Sequence, residues 1–201
     1  MSQQISKAAL GRLPGYLNYL YDLECDTISA TKIAKDLGLG EVQVRKDLGT
    51  VCGKGGPKIG YNRKELTDDL EAALGVRSKS NVVVVGAGKL GMALAGYTGF
   101  EKFGLHISAA FDIAPEGKNL PSCPVFPADE LEEYCRKNSI KIGILAVPAA
   151  SAKETCKKMA ECGITAIWNF APVKLDAPSG VTVHTENLAL SLAHLKLITN
   201  N

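Results

Sequence analysis

The sequence predicts an α/β protein in which a helical N-terminal domain is followed by a doubly wound parallel sheet. Up to Gly75, apolar residues recur at the three-to-four spacing of amphipathic helices. From Asn81 onward, short segments rich in valine and isoleucine alternate with helical segments, as in a parallel sheet covered by helices. The two patterns meet at the polar segment VRSKS. We therefore place one domain at 1–78, a second at 79–185 and a C-terminal helix at 186–201.

The composition excludes several classes of protein. Of the 201 residues, 46% are hydrophobic, which is enough to form buried cores and argues against a disordered chain. The apolar runs fall short of the ~18 residues that span a bilayer, and no apolar signal core follows the first basic residue. We therefore expect a cytoplasmic protein with no membrane partner. The six cysteines form no CxxC motif, so we expect reduced structural thiols and no metal site, with one redox-active cysteine as the alternative.

The first helical segment is LGRLPGYLNYLYDLE. Within it, Leu13, Tyr16, Leu17 and Leu20 have the spacing of a buried helical stripe. Proline is favoured in the first turn of a helix because its missing N–H is not needed there. We therefore predict that Pro14 lies in the first turn.

Two further helices and the turn between them resemble a helix-turn-helix over residues 30–52. Ser29 is a favoured cap for the segment ATKIAKDL, which ends at Gly38 in the turn Gly-Leu-Gly. The segment EVQVRKDLGTVC follows as the third helix. A fourth helix, NRKELTDDLEAALG, is predicted to begin at the cap residue Asn62 and to end at Gly75.

The third helix has the pattern of a helix that reads DNA. Val44, Leu48 and Val51 form its inward stripe, and polar residues occupy the opposite face, where arginine and glutamine suit base edges and lysine and threonine suit phosphates. The segment CGKGGPKIGY then resembles the wing of a winged helix-turn-helix, and residues 32–64 carry a net charge of +5, which favours an anionic partner. The residues that we expect to contact operator double-stranded DNA are Gln43, Arg45, Lys46, Thr50, Lys54, Lys58 and Tyr61. The alternative is a plain helical packing domain with a basic rim.

The second domain is predicted to be a Rossmann-type doubly wound sheet. Its strands are NVVVVG, HISAAFD, IKIGILAV, ITAIWNF and a short VTVHT, separated by helical stretches at 89–98, 128–137 and 151–162. The first strand runs into Gly86, Gly88 and Gly91 and then into a helix. This context makes a GxGxxG motif indicative of dinucleotide binding.

Asp112 indicates which dinucleotide binds. It ends the second strand, 21 positions after the last glycine of the motif, where a carboxylate binds the ribose hydroxyls of NAD rather than NADP. The segments AVPAAS and NFAPV follow two other strands, at the edge of the sheet where ligands bind. We therefore predict NAD(H) as the cofactor. The residues that we expect to contact it are Gly86, Ala87, Gly88, Lys89, Leu90, Gly91, Asp112, Ile113, Ala146, Val147, Pro148, Asn169, Phe170 and Ala171.

The sequence shows no catalytic pattern beside this site. His106, His184 and His194 lie apart, and no GxSxG or HExxH motif is present. The dinucleotide fold takes up almost all of residues 81–185, so no substrate domain is left. We therefore expect a protein that binds a nicotinamide nucleotide without turning it over. Two alternatives remain: a small NAD-dependent oxidoreductase with an N-terminal oligomerisation domain, and a regulator that senses another nucleotide such as coenzyme A.

The final segment, NLALSLAHLKLIT, is predicted to be a helix with leucines around much of its surface, at positions 188, 190, 192, 195 and 197. A terminal helix with this much apolar surface requires burial, and we expect a second subunit to cover it.

Several of these motifs together closely resemble the Rex family of bacterial redox-sensing transcriptional repressors, over nearly the full chain. They are GRLPGYLNYL, QVRKDL, IGYN, VVVVGAGKLGMALAGYTGF, FD, AVPA, NFAPV and the leucine-rich final helix, in that order. The resemblance implies a homodimer whose final helices are exchanged between subunits. It also implies binding to operator DNA when the NADH/NAD⁺ ratio is low, and release from DNA when NADH binds.

The resemblance further assigns roles to single residues. Arg45 and Lys46 would contact the operator, Tyr97 would sense the redox state of the nicotinamide, and Arg12 would link the first helix to the partner's cofactor site. The chain departs from the family pattern in its wing, which reads PKIGY where the family has Lys/Arg-Gly-Val-Gly-Tyr. It departs again where its final helix opens with Asn187 in place of an aspartate. We expect this second change to alter the redox-sensing network.

Overall fold

The computed structural model of the protein describes residues 5–56, 59–118 and 120–199. The chain divides into two compact units. The first is formed by the residues up to Ser78 together with Lys102–Gly104, and the second by Lys79–Glu101 and the residues from Leu105 onward.

The first unit is a small helical domain with a two-stranded ribbon. Its elements are α1 (Lys7–Tyr21), β1 (Thr27–Ile28), α2 (Ala30–Asp36), α3 (Glu41–Val51), β2 (Tyr61–Asn62) and α4 (Arg63–Leu74). The two strands are antiparallel, and Gly56 pairs with Gly60 through two backbone hydrogen bonds of 2.7 and 2.9 Å. The helix-turn-helix and the hairpin that follows it therefore have the arrangement expected of a winged helix domain.

Local capping accounts for the helix boundaries in this unit. The Ser29 hydroxyl accepts a hydrogen bond from the Lys32 N–H, and the Asn62 side chain accepts one from the Glu65 N–H, each at 3.1 Å. Gly75 ends α4 in the left-handed conformation, with φ +67°. These three boundaries agree with the sequence prediction.

The predicted start of α1 is wrong. The helix begins at Lys7, three residues before the predicted segment, where the Ser6 hydroxyl accepts a hydrogen bond from the Ala9 N–H at 3.2 Å; Pro14 is therefore the eighth helical residue and lies beyond the first turn. A proline at this position leaves the carbonyl of Leu10 without its usual helical partner. The helix persists because the stripe on its other face is buried in the core of the unit, with Leu13, Leu17 and Leu20 at 0% exposure.

The second unit is a six-stranded parallel sheet with helices. Its elements are β3 (Ser80–Val85), α5 (Lys89–Ala95), the 3-10 helix Thr98–Phe103, β4 (Leu105–Asp112), β5 (Val125–Pro127), the 3-10 helix Ala128–Glu130, α6 (Leu131–Asn138), β6 (Ile142–Leu145), α7 (Ala149–Glu161), β7 (Ala166–Asn169), β8 (Thr182–Thr185) and α8 (Leu188–Thr199). The strand order is β5-β4-β3-β6-β7-β8. The order reverses between β3 and β6, which is where open sheets of this type bind ligands. The Rossmann-type architecture is therefore confirmed.

The four valines of β3 show why this sheet is buried on both faces. Val83 and Val85 belong to one apolar core, whereas Val82 and Val84 belong to another. Because successive side chains of a strand point to opposite faces, each face has its own core. The sequence analysis missed β5, a three-residue edge strand that ends in proline and is too short to show a period.

The last helix, α8, exposes its leucines within the described chain. Leu188, Leu190, Leu192 and Leu195 are each between 57% and 69% exposed. The helix starts at Asn187, whose side-chain oxygen accepts a hydrogen bond from the Leu190 N–H at 3.1 Å. Within the described residues, no helix is both long and apolar enough to cross a membrane.

Candidate DNA-binding and dinucleotide sites

The outward face of α3 matches the predicted reading surface. Val44 and Leu48 are fully buried, whereas Gln43, Arg45 and Lys46 are exposed. Arg45 forms an ion pair with Glu41 one turn earlier, which orients the guanidinium along the exposed side of the helix. A row of three adjacent polar side chains is therefore available to a partner along α3.

A basic cleft of about 620 Å³ lies beside this helix. Arg45, Lys46, Lys54 and Tyr61, all predicted to contact DNA, are among the residues that line it. Ser29 and Thr31 at the start of α2 also line it, and the sequence analysis did not identify them. Cations between a helix and a hairpin suit a phosphate backbone. Lys58, predicted to act with them, lies outside the described residues.

The Thr50 hydroxyl has a hydrogen-bond partner within α3. Its hydroxyl donates a hydrogen bond of 2.6 Å to the backbone carbonyl of Asp47. The hydroxyl oxygen can still accept a hydrogen bond but has no further proton to donate. A contact between Thr50 and a phosphate would require this hydroxyl to turn away from the Asp47 carbonyl, and the contact stays a prediction.

A buried carboxylate on α3, Asp47, was missed by the sequence analysis. Asp47 is 4% exposed and accepts hydrogen bonds from Arg12 Nε at 2.7 Å, Arg12 Nη2 at 2.9 Å and the Tyr16 hydroxyl at 2.8 Å. The three bonds tie α3 to α1. The signal was present in the sequence, since position 47 lies on the same helical face as Val44 and Leu48.

The charges of this network stabilise each other. Burial opposes ionisation of Asp47, but hydrogen bonds from Arg12 and Tyr16 outweigh it, so the pKa of the Asp47 carboxyl is lowered. Burial, together with the hydrogen bond to Asp47, raises the pKa of Tyr16 to about 12. The hydrogen bond to Asp47 also raises the pKa of Arg12. At neutral pH the network is thus a carboxylate, a guanidinium and a neutral phenol.

Arg12 also contacts Gln43, one turn before Asp47. A guanidinium has five N–H donors and no acceptor, so the Gln43 amide presents its oxygen to Arg12. In that orientation the oxygen accepts from Nη1 at 3.0 Å and lies 2.8 Å from Nε, whose single N–H is directed to Asp47. Arg12 of α1 therefore holds two side chains of α3, one buried and one exposed.

The glycine turn of the second unit is closely packed at Gly86 and Gly91 and open at Gly88. Gly86 has φ +99°, and a Cβ there would lie 2.6 Å from the Ala146 carbonyl oxygen. A Cβ at Gly91 would lie 1.8 Å from the Gly86 carbonyl oxygen, so only glycine allows α5 to pack this close. A Cβ at Gly88 would meet no described atom within 4 Å. This open side is where a pyrophosphate would approach the backbone N–H groups.

Asp112 connects the end of β4 to the glycine turn. Its carboxylate accepts hydrogen bonds from the Ala87 N–H at 2.7 Å and the Ala114 N–H at 2.9 Å, and it forms an ion pair of 2.9 Å with Lys118. Burial opposes its ionisation, but the Lys118 and backbone hydrogen bonds prevail and lower the pKa of Asp112. The sequence analysis did not identify Lys118. Asp112 is thus a charged acceptor beside the turn, with a cation next to it.

A crevice of about 500 Å³ lies at the carboxyl ends of β3, β4 and β6. Half of the predicted cofactor residues line it: Gly86, Gly88, Asp112, Ile113, Ala146, Val147 and Pro148. Further lining comes from the 3-10 helix, α6 and α7, including Ala128, Thr155 and Lys158, which no sequence pattern indicated. The crevice has the size and the mainly apolar walls of a small-molecule site.

The remaining predicted cofactor residues do not line this crevice. Lys89 and Leu90 lie in the first turn of α5, and Ala87 and Gly91 are buried. Asn169 is fully buried: its amide donates to the carbonyls of Ala171 and Val173 and to the Thr185 hydroxyl at 3.1–3.3 Å, and its oxygen accepts from the Ala171 N–H at 2.9 Å. Asn169 therefore shapes the loop after β7 with all of its hydrogen-bonding groups.

Aromatic rings connect Tyr97 to that loop. The Tyr97 ring packs edge-on against Phe100 at 4.9 Å, Phe100 against Trp168 at 6.0 Å, and Trp168 against Phe170 at 4.5 Å. Tyr97 itself is 58% exposed. The proposed sensor and the loop after β7 thus belong to one aromatic row.

The other two predicted sensor residues have partners within their own units. Arg12 is paired with Asp47 in the first unit, and Asn187 caps α8 in the second. The role of each toward a bound nucleotide stays a prediction.

Burial raises the thiol pKa of five of the cysteines, namely Cys52, Cys123, Cys135, Cys156 and Cys162. Cys123, Cys135 and Cys156 are buried, and all six cysteines are free. Burial raises the pKa of Cys52 to about 12 and that of Cys135 to about 11. Thiols held in the neutral form are poor nucleophiles and poor metal ligands. Among the described residues there is no cluster of three or more metal-ligating side chains.

Comparison with known proteins gives matches along the whole chain. Residues 4–49 match the family described as "Putative DNA-binding protein N-terminus", and residues 77–173 match the family described as "CoA binding domain". The redox-sensing transcriptional repressor Rex of Carboxydothermus hydrogenoformans is 40% identical over 194 residues, which cover 94% of this chain and 93% of the relative.

Solved structures agree with this relationship. The crystal structure of RSP, a Rex-family repressor, in complex with beta-NAD⁺ and operator DNA has a TM-score of 0.89 to this chain and is 35% identical to it. The alignment covers 98% of this chain and 94% of RSP. The complex of RSP with beta-NADH has a TM-score of 0.87 and 35% identity, and the alignment covers 98% and 95% of the two chains.

Proposed function

The chain belongs to the Rex family of redox-sensing transcriptional repressors, and we propose that it binds operator DNA and leaves it when NADH occupies the second unit. The family consists of transcription regulators, so the expectation of a non-enzymatic protein is confirmed and the oxidoreductase alternative is set aside. The observation that carries the proposal is the coexistence, in one chain, of a basic α3 reading surface and a glycine-turn crevice with Asp112 at its edge.

The first unit supplies the groups that operator binding requires. Arg45 and Gln43 on α3 can donate to base edges in the major groove, while Lys46 and Lys54 can neutralise phosphates. Tyr61 at the base of the hairpin lies in the same cleft. Lys58 is included in the proposed interface on the basis of sequence alone. Binding through such cations is expected to weaken steeply as the salt concentration rises.

The second unit fits a nicotinamide dinucleotide. The open side of Gly88 gives a pyrophosphate access to backbone N–H groups, and the Asp112 carboxylate can accept hydrogen bonds from ribose hydroxyls. When bound, the nucleotide supplies a ring that is cationic in NAD⁺ and neutral in NADH. Tyr97, exposed and anchored to the aromatic row, is the residue that we assign to sensing that difference.

The exposed leucines of α8 suggest how the active species is assembled. Four leucine side chains of this terminal helix are more than half exposed, and exposing so much apolar surface to water is unfavourable in free energy. We assign their cover to a second copy of the chain, in a homodimer with exchanged final helices. We further propose that the protein acts in the cytoplasm, because its proposed target is operator DNA.

Two binding measurements test the proposal together. Duplexes selected from a random pool are titrated with the protein by fluorescence anisotropy, at fixed salt, with NADH, NAD⁺, NADPH or coenzyme A added. Nucleotide binding is followed in parallel through Trp168, the single tryptophan, which packs against the loop after β7. We expect NADH to release the DNA at a lower concentration than NAD⁺ does.

The same titration separates the alternatives. Release by acyl-coenzyme A and not by NADH would assign the site to a different nucleotide, as the match to a CoA binding domain allows. Sequence-specific binding that no nucleotide affects would leave a DNA-binding protein without a redox response.

A further inference from the structure

The Gln43 side chain on the exposed face of α3 is held in one orientation. A free glutamine offers a base both an acceptor oxygen and a donor NH₂ group, and it reads adenine by using both at once: it donates to N7 and accepts from N6. With its oxygen turned to the donors of Arg12, the amide accepts from Nη1 at 3.0 Å, while the single Nε–H, 2.8 Å from that oxygen, is directed to Asp47. The NH₂ group is the part of the amide that is left to meet a base.

Arg12, which orients the Gln43 amide, is itself held in place. Arg12 donates through Nε and Nη2 to Asp47, whose carboxylate is buried and also accepts the Tyr16 hydroxyl. Its guanidinium plane is therefore set by two bonds to a carboxylate that cannot move into solvent. Charge-assisted hydrogen bonds are about twice as strong as neutral ones, so we expect the amide to keep this orientation when it meets a single base.

From this geometry, and resting on the proposed function as a DNA-reading repressor, we infer that Gln43 acts as a donor-only reader that selects guanine over adenine, with Arg12 as its positioning residue. Guanine presents two acceptors, O6 and N7, to the major groove. Thymine presents one acceptor. Adenine presents one acceptor, N7, beside an amino group, and cytosine presents an amino group, so neither offers a donor-only side chain the two acceptors of guanine.

Removing Arg12 should reverse this preference. In Arg12→Met, the Asp47 carboxylate loses its cation and becomes the acceptor nearest to Gln43, four residues earlier on the same helix. The amide then turns its NH₂ group inward and its oxygen outward, toward bases that carry an amino group. Arg12→Lys keeps a group with donors only, so it should retain part of the guanine preference.

The test is selection of bound duplexes from a randomised pool by the full-length protein and its variants. Gln43→Ala identifies the base pair that Gln43 reads, as the position where the selected preference disappears. At that position, the unmodified protein should prefer guanine to adenine by about tenfold, from the usual energy of a good base contact. Lys46→Ala is the matched control on the same helix, and it should lower binding to all sequences without changing any preference.

Each outcome decides the inference. A preference for adenine at the Gln43 position, or no position that depends on Gln43, overturns it while leaving the repressor function in place. If Arg12→Met folds, an unchanged guanine preference also overturns it; if it does not fold, the profiles of the unmodified protein, Gln43→Ala and Arg12→Lys still decide. Selection of no sequence at all by the unmodified protein overturns the proposed function and this inference together.

Discussion

Replacing Asp47 by asparagine should destabilise the first unit in a pH-dependent way. The change keeps the shape of the side chain but removes the charge and sets an NH₂ group against the donors of Arg12 and Tyr16. Arg12 is 27% exposed and can be rehydrated, so we assign it no energy. Tyr16 is 1% exposed, and its hydroxyl would lose a charged acceptor that water cannot replace. A hydrogen bond to a charged group contributes about 1.5–3 kcal/mol, so we expect a loss of about 2 kcal/mol at pH 7.

The pH dependence follows from the lowered pKa of Asp47. A carboxyl whose pKa is lower in the folded protein stabilises the fold at pH values above its unfolded pKa, about 3.9. That contribution is lost as the pH falls through the folded value. The difference in free energy of unfolding between the protein and Asp47→Asn should therefore be complete at pH 7 and shrink below about pH 4.

The assay is urea unfolding at several pH values, followed by far-ultraviolet circular dichroism for the helices and by Trp168 fluorescence for the second unit. Tyr16→Phe should lower stability by about 1 kcal/mol. Its matched control is Tyr19→Phe, because the Tyr19 hydroxyl also donates to an aspartate, Asp36, but at an exposed site where little is gained. Equal stability of Asp47→Asn and the unmodified protein at pH 7 would refute the reasoning. So would a difference that stays constant down to pH 3.

Four further outcomes are expected. Lys118→Ala should increase the preference for NADH over NADPH several-fold in titrations followed by Trp168 fluorescence. The reason is that the Lys118 cation partly offsets the repulsion between Asp112 and a 2′-phosphate, and an unchanged ratio of the two affinities would contradict it. Arg45→Ala should cost about tenfold in operator discrimination, whereas Lys46→Ala should flatten the salt dependence by about one unit of slope on every sequence. Truncation after Asn187 should give monomers or aggregates by light scattering, and a dimer of normal stability would argue against the role of α8. Asn187→Asp keeps an equally good helix cap and should steepen release of DNA by NADH, which titration of both proteins on one operator would check.

The sequence alone was enough to predict features that depend on near neighbours in the chain. Helical spacing located α1 to α4 and α8, and the caps at Ser29 and Asn62 marked boundaries that the structure reproduces. The valine-rich segments predicted five of the six parallel strands, because burial on both faces leaves no polar alternation. The glycine spacing predicted a turn whose close packing at Gly86 and Gly91 admits no side chain. The caps and Gly91 are constrained by atoms within a few residues, and the local pattern records this directly; Gly86 is constrained by the distant Ala146 carbonyl, but the glycine spacing still marks the turn.

The tertiary structure decided which polar groups meet. Arg12 and Asp47 are 35 residues apart in sequence, and Ala87 and Asp112 are 25 apart. Helical spacing places Asp47 on the buried face of α3, but no local pattern identifies its partners, since Arg12 and Tyr16 belong to another helix. Asn169 likewise has the sequence context of a ligand contact, and only the structure shows that its amide bonds to the Val173 carbonyl and to Thr185 of β8. Hydrogen bonds between distant segments form only when packing has placed both partners. For this reason the bonds from Arg12 and Tyr16 of α1 to Asp47 of α3 could be identified only in the tertiary structure.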